Sequence, residues 1–250
     1  MKPIVVITRT RPDADALAQR LTDLGYEPLL EPMLRVSATH AATVHDPMCV
    51  EALVVTSAQA LRHLNTLVRE VAFRHKPLYA VGPKTASLAI ELGWDNVHDG
   101  GGDVRALGTF LKSRSEITPS SRLLHICGRD IARDTREILN DVPGNVLDWV
   151  VYETEPSEEF SPDFIEAMRT GRVKAALFYS ARAASVFADH VRAYSAKNSP
   201  DNSHFGAIKF LCLSKAVVES LSNIPSNGTY AATSPDEDAL VALLKVQVPA

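Results

Sequence analysis

Cysteine is scarce in this chain: Cys49, Cys127 and Cys212 are the only three, they lie far apart, and none forms a C-x-x-C pair. An odd number of distant thiols excludes a disulfide framework and a structural zinc site, and favours a reducing compartment. Glycine and proline are modest too, at 12 and 15 among 250 residues, which excludes collagen-like and low-complexity chains. No apolar run approaches the ~20 residues of a membrane span. The N-terminal IVVI stops at Thr8 and Arg9, far short of a signal peptide. The expected address is the cytoplasm, with no membrane partner. Neither charge sign dominates: 26 basic and 30 acidic residues leave a net charge of -4, so there is no global field for nucleic acid.

What remains is an ordinary globular composition, 46% hydrophobic, in a chain long enough for one to two domains. Short runs rich in β-branched residues recur, each followed by turn chemistry and then by apolar residues at helical spacing. IVVIT (4–8) precedes a helix with Leu17, Leu21 and Leu24 on one face, Pro12 at its start and Gly25 as its stop. Further strands are predicted at ALVVT (52–56), PLYAV (77–81), RLLHI (122–126), KAALFY (174–179), IKFLCL (208–213) and TYAA (229–232). Weaker ones fall at 27–31, 96–98 and 146–152. Ten strands are twice the five of a flavodoxin-like sheet, so the pattern predicts an α/β fold of two parallel-sheet domains.

Internal similarity supports two domains. LVVTSAQALRHL from Leu53 resembles LFYSARAASVF from Leu177, GGDVRALGTFLK (101–112) resembles TSPDEDALVALLK (233–245), and VITRTRPDADALAQRL (6–21) parallels LHICGRDIARDTREIL (124–139). The order implies circularly related halves. One domain then comprises 1–36 plus 153–250 and the other 37–150, with linkers near 32–38 and 148–156. Two extended linkers side by side are expected to pair as a ladder. Residues 193–206 and 113–121 read as exposed loops.

In parallel sheets, ligands meet the carboxyl ends of strands, where helix N-termini offer free N–H groups. Those turns hold Arg9, Thr56, Ser57, Gly82, Lys84, Thr85, Arg129, Ser180, Ser214 and Lys215. Each hydroxyl also suits an N-cap, and Ser234-Pro-Asp-Glu237 has capping-box spacing. Recurring hydroxyls and cations in an acidic chain suggest a small polyanionic ligand. GGGD at 100–103 lacks a P-loop ending, no G-x-G-x-x-G follows a strand, and the eight histidines form no H-x-x-x-H pair, so neither nucleotide nor metal is expected. No G-x-S-x-G elbow exists, and no His or Asp is nominated as a partner for Ser57 or Ser180. Cys127 reads as a buried apolar thiol, with an activated thiol as the alternative. Tyr152, in WVVYETEP, is either a strand aromatic or a phenol that donates a proton.

ITRTRPDADALAQRLTDLGYEPLLEPMLRV, VVTSAQAL, YAVGPKTASLAIELGW, GGDVRALGTFL, VVYETEP and SPDEDALVALL, in that order, resemble the uroporphyrinogen-III synthase family over nearly the whole chain. The resemblance implies two flavodoxin-like domains joined by a two-strand linker. It implies that the small-molecule substrate hydroxymethylbilane is cyclised with inversion of its last pyrrole ring and loss of water, in a cofactor-independent lyase reaction of tetrapyrrole biosynthesis. It further implies a monomer with at most transient contacts to neighbouring pathway enzymes. Tyr152 matches the family's VYxT tyrosine, the candidate for assisting hydroxyl departure. Arg9, Thr56, Ser57, Gly82, Thr85 and Ser180 match positions expected to bind carboxylates, and Lys84, Arg129 and Lys215 join them by placement. Tyr179-Ser180-Ala181 departs from the family's T-S-P, and Ser214-Lys215-Ala216-Val217 departs from its G-x-x-T turn. These departures keep a non-catalytic tetrapyrrole- or carboxylate-binding paralogue as the alternative. An exported bilobed solute-binding protein is a further rival that the missing signal peptide disfavours.

Overall fold

The computed structural model describes residues 2–39, 46–64, 70–198 and 204–249. In chain order they form β1 (Ile4–Ile7), α1 (Asp13–Asp23), β2 (Glu27–Leu30), β3 (Leu34–Ala38), β4 (Ala52–Val55), α2 (Ala58–Leu64), β5 (Leu78–Ala80), α3 (Pro83–Glu91), β6 (Val97–Asp99), α4 (Val104–Lys112), β7 (Arg122–Gly128), α5 (Arg133–Asn140), β8 (Asn145–Pro156), α6 (Pro162–Arg169), β9 (Val173–Phe178), α7 (Ala181–Asn198), β10 (Lys209–Cys212), α8 (Lys215–Glu219), β11 (Thr229–Ala231) and α9 (Glu237–Gln247). The chain divides into two compact units, Met1–Arg35 with Glu155–Ala250, and Val36–Thr154. None of the described helices is long and apolar enough to cross a membrane.

The first unit is a parallel five-stranded sheet in the order β2-β1-β9-β10-β11. Its strands bury both faces, as parallel strands covered by crossover helices must. Alternation sorts them. Ile4, Val6, Ala176, Phe178, Phe210 and Cys212 pack with Phe164 of α6 and Phe187 of α7. Val5, Ile7, Ala175, Leu177 and Leu211 pack on the other side with Leu17 and Leu21 of α1 and Leu240 and Leu244 of α9. The first layer is aromatic, with Phe187 in edge-on contact with Phe160, Phe178 and Phe210 at centroid distances of 5.1, 5.0 and 5.6 Å.

The second unit has six strands in the order β3-β8-β7-β4-β5-β6. Leu53, Val55, Leu124 and Ile126 face Leu61 of α2 and Ala89 of α3. Ala52, Val54, Tyr79 and Leu123 face Leu107 and Leu111 of α4 and Leu139 of α5. Apart from the edge strand β3, the order β8-β7-β4-β5-β6 reproduces β2-β1-β9-β10-β11 once β7 is matched to β1 and β4 to β9. Both sheets thus have the flavodoxin-like order 2-1-3-4-5, and the second reaches it by a circular permutation of the first. The two linker strands β3 and β8 are neighbours in one sheet. Just beyond β3, the Thr39 N–H donates to Val151 O (3.1 Å) and its hydroxyl to Val150 O (2.6 Å).

Three local expectations are corrected. Residues 193–198 are not loop but the last turns of α7, because Val191 and Tyr194 extend the apolar stripe of Ala184, Phe187 and Ala188, and Tyr194 meets Phe205 edge-on at 5.8 Å. The N-cap of α9 is Asp236, whose carboxylate accepts from the Ala239 N–H (2.8 Å), while Ser234 donates to that carboxylate (2.5 Å) instead of capping. The count of ten strands becomes eleven among the described residues, because the linker expected to be extended and to pair as a ladder does so as β3 beside β8.

Candidate active site

In an open α/β sheet the crevice lies where neighbouring strands send their connections to opposite faces. In the second unit that point is between β7 and β4. A pocket of about 320 Å³ opens there, lined among others by Thr56 and Ser57 after β4, His125, Cys127 and Gly128 of β7, and Tyr152 of β8. Three residues singled out by sequence, Thr56, Ser57 and Tyr152, are therefore brought together.

Tyr152 owes its position to a break in the β7–β8 ladder. Cys127 pairs with Val150 but Gly128 pairs with Tyr152, so Val151 is an extra residue. The bulge swings the Tyr152 ring over Gly128: a Cβ at 128 would lie 2.5 Å from its Cζ and 2.9 Å from its hydroxyl. The ring's other support is His63 of α2, stacked at 5.4 Å and 20°. Burial lowers the His63 pKa, so the stacking partner is a neutral imidazole at pH 7. Among the described residues nothing hydrogen-bonds the Tyr152 hydroxyl, which leaves it available to a ligand.

Behind Thr56 lies a network that sequence reasoning missed. The register sets His125 opposite Val54 on one side and opposite Asp148 on the other. His125 is 1% exposed. Its Nδ1 lies 2.9 Å from Asp148 Oδ1, its Nε2 lies 3.0 Å from Thr56 Oγ1, and Arg136 of α5 closes the chain at 3.0 Å from Asp148 Oδ2. The His125 hydrogen bond, with Arg136 assisting, holds the Asp148 carboxyl below its ordinary value against the opposing effect of burial. An ionised carboxylate only accepts, so Nδ1 carries a proton and, in neutral His125, Nε2 accepts from the Thr56 hydroxyl. The available signal was one polar residue inside the apolar run RLLHIC, but its partner is 23 positions away.

Cys127 also comes near this network, its Sγ within 4.8 Å of the His125 and Asp148 ligand atoms. Burial, reinforced by the Asp148 charge, pushes its thiol up to about 12, and the thiol donates to Trp149 O (3.7 Å). Cys127 is thus the buried thiol that the sequence suggested, not an activated one.

The other sequence candidates lie outside this pocket. Arg129 follows Gly128 in the chain, with its Nε paired with Glu153 (2.7 Å) and its N–H donating to Tyr152 O (2.9 Å). Gly82 is the extended N-cap of α3, where a Cβ would lie 2.7 Å from Gly102 Cα; its role is close backbone approach. Beyond it Lys84 is exposed and Thr85 buried. In the first unit, Arg9 and Ser180 follow β1 and β9, the equivalent switch point. Ser180 caps α7 through Ala183 N–H (3.2 Å). Arg9 lies over the Tyr179 ring (4.7 Å) and is paired with Asp13 (2.7 Å) and Glu237 (3.0 Å), so any ligand carboxylate must compete with two resident ones. Lys215 is exposed at the start of α8, and Ser214 before it makes no side-chain cap.

The family model described as uroporphyrinogen-III synthase HemD matches residues 15–242. The chain belongs to the uroporphyrinogen-III synthase family. Its fold is similar to that of a uroporphyrinogen-III synthetase from Helicobacter pylori 26695, with a TM-score of 0.64 at 17% identity over 98% of this chain and 99% of that one. It is also similar to a mutant uroporphyrinogen III synthase from the extremely thermophilic bacterium Thermus thermophilus, with a TM-score of 0.50 at 18% identity over 98% and 97% of the two chains. No curated protein matches the chain. Membership of the uroporphyrinogen-III synthase family makes this an enzyme-family chain acting on a small tetrapyrrole, and the non-catalytic paralogue is not favoured.

Proposed function

We propose that this chain cyclises hydroxymethylbilane to uroporphyrinogen III, inverting the last pyrrole ring and releasing water, and that the pocket between β4 and β7 receives the reacting end of the substrate. The observation that carries this reading is the Tyr152 hydroxyl, positioned by a bulge and a glycine and without a partner among the described residues, in a pocket shared with Thr56 and Ser57. At about 320 Å³ the pocket is at the small end of ligand sites, roughly 300–1,000 Å³. It suits one terminal pyrrole with its acidic side chains, and not four rings.

The chemistry asks for little more. A hydroxymethylpyrrole expels its oxygen as water once that oxygen is protonated, with the pyrrole nitrogen supplying the electrons. The resulting azafulvene is attacked by the substituted carbon of the far ring to give a spiro intermediate; the bond from that carbon to its original methylene then breaks, leaving a second azafulvene that the far ring's unsubstituted α-carbon attacks to close the macrocycle, and the sequence is redox-neutral overall. Loss of water makes this a lyase reaction, and hydroxyls with backbone N–H groups suffice without a cofactor. The protein's contribution is to hold two chain ends in one geometry and to hydrogen-bond the departing oxygen. Tyr152 takes the latter role, while Ser57 and the turns carrying Thr56, Gly82, Thr85 and Ser180 offer donors to substrate carboxylates. The three thiols are unpaired, which supports a reducing cytoplasm as the place of work, and we read the working species as a monomer.

Tyr152→Phe tests the assignment. Incubation of the full chain with hydroxymethylbilane, followed by oxidation and isomer separation, should show type III product from the unsubstituted protein. The variant should have the same thermal melt and about 10²-fold lower kcat. An undiminished rate removes Tyr152 from the chemistry, and type I isomer alone from the unsubstituted chain removes the synthase assignment.

A further inference from the structure

We propose that the buried His125 imidazole is the proton reserve of this pocket and that it acts through the Thr56 hydroxyl, which relays the proton to the departing oxygen. The inference rests on the assignment of the pocket to bilane cyclisation. Thr56 is the described pocket hydroxyl that is hydrogen-bonded to an imidazole. The Ser57 oxygen accepts from the Gln59 N–H (3.1 Å), and the Tyr152 hydroxyl has no hydrogen-bond partner among the described residues to resupply its proton.

The charge of His125 decides what Thr56 presents. With a neutral ring, Nε2 takes the Thr56 hydrogen, and the hydroxyl turns only lone pairs toward the pocket. With an imidazolium, Nε2–H donates to Oγ1, and the Thr56 hydrogen is free to point at a ligand. A cation so deeply buried is tolerated where a carboxylate faces it, and Asp148 lies 2.9 Å away, steadied by Arg136. The other titratable groups around the ring are Cys127 on its own strand, a neutral thiol, with Asp130 and Tyr152 lining the same pocket and His63 stacked behind Tyr152.

The step balances. The imidazolium Nε2–H bond breaks as a new Oγ1–H bond forms, and the original Thr56 O–H bond breaks as its hydrogen joins the substrate hydroxyl. The C–O bond then cleaves to water, and the pyrrole nitrogen lone pair fills the vacated carbon. The positive charge moves from imidazolium to azafulvenium. After the spiro intermediate fragments and the far ring's unsubstituted α-carbon makes the closing bond, that carbon loses its proton to restore aromaticity, and Thr56 hands the proton back to His125. Tyr152 orients the oxygen, Thr56 touches it, and His125 and Asp148 are positioning residues that act through Thr56.

The test is the pH dependence of kcat for the full chain with hydroxymethylbilane, measured for unsubstituted protein, His125→Gln, Thr56→Val and the double variant. The relay requires an alkaline limb in the rate of the unsubstituted protein. His125→Gln should lower kcat about 10²-fold, flatten that alkaline limb and leave KM nearly unchanged, and the double variant should be no slower than the worse single one. An unchanged kcat in His125→Gln, or a lowered kcat that retains the limb, overturns the relay while the unsubstituted chain's type III product upholds the synthase assignment. Without type III product from the unsubstituted chain, assignment and relay fall together. If His125→Gln does not fold, Thr56→Val decides: loss of the limb supports the relay and its persistence overturns it.

Discussion

Gly128→Ala is a perturbation that should act on Tyr152 without touching it. Gly128 has no left-handed backbone angle, so alanine adds no conformational strain, only a methyl group. That methyl would lie 2.5 Å from Tyr152 Cζ and 2.8 Å from Cε2. Carbon atoms pack at about 3.5–4.0 Å, so the ring must retreat by about 1 Å. It is a part-buried side chain, so it can yield, at the expense of its stack on His63. Aromatic pairs of this kind contribute about 0.5–1.5 kcal/mol, which for a chain of this size lowers Tm by about 1–6 °C. Activity should suffer more, because a displacement of about 1 Å at a reacting centre can lower the rate about 10²-fold. The assay is initial-rate cyclisation of hydroxymethylbilane with product isomers separated, alongside calorimetric melting. In a Tyr152→Phe background the same alanine should matter far less, since the hydroxyl it displaces is already gone. Full rate and isomer ratio in Gly128→Ala would refute both the placement of the ring and its role.

Two further outcomes concern stability. Phe187→Ala, which empties the centre of the aromatic layer between α6, α7 and the first unit's sheet, should destabilise that unit by about 3–5 kcal/mol in denaturant titration. Asp148, held below its ordinary carboxyl value in the folded state, contributes stability that is fully present above the unfolded value and is lost as pH falls through the lower folded one. Melts between pH 7 and pH 2 should therefore show an acid-side loss that shrinks in Asp148→Asn.

Much of the fold was legible along the chain because parallel α/β units are local. A β-branched run, a turn and a helical stripe are read within about 30 residues, and the strand signals at 4–8, 52–56, 122–126 and 174–179 coincide with β1, β4, β7 and β9. The internal similarities carried the circular permutation for the same reason, since each matched stretch spans one strand with its following helix. Thr56 and Ser57 stood out because a hydroxyl after a strand is a local pattern. Local cues also misled where two residues competed for one role, as at α9, where Asp236 caps and Ser234 serves it.

Which segments become strands and helices, and which turns carry hydroxyls and cations, was readable along the chain, because these depend on periodicity and on near neighbours. Tertiary structure alone decided which turns share a pocket and what stands behind them. His125 met Asp148 and Thr56 only through the register of three strands, and Tyr152 reached the pocket only through one unpaired residue in a ladder. Arg9 was likewise turned from a free cation into a neutralised one by Glu237, 228 positions away. Proton transfer and ion pairing act over about 3 Å in space, and separation along the chain carries no information at that scale until the sheet has formed.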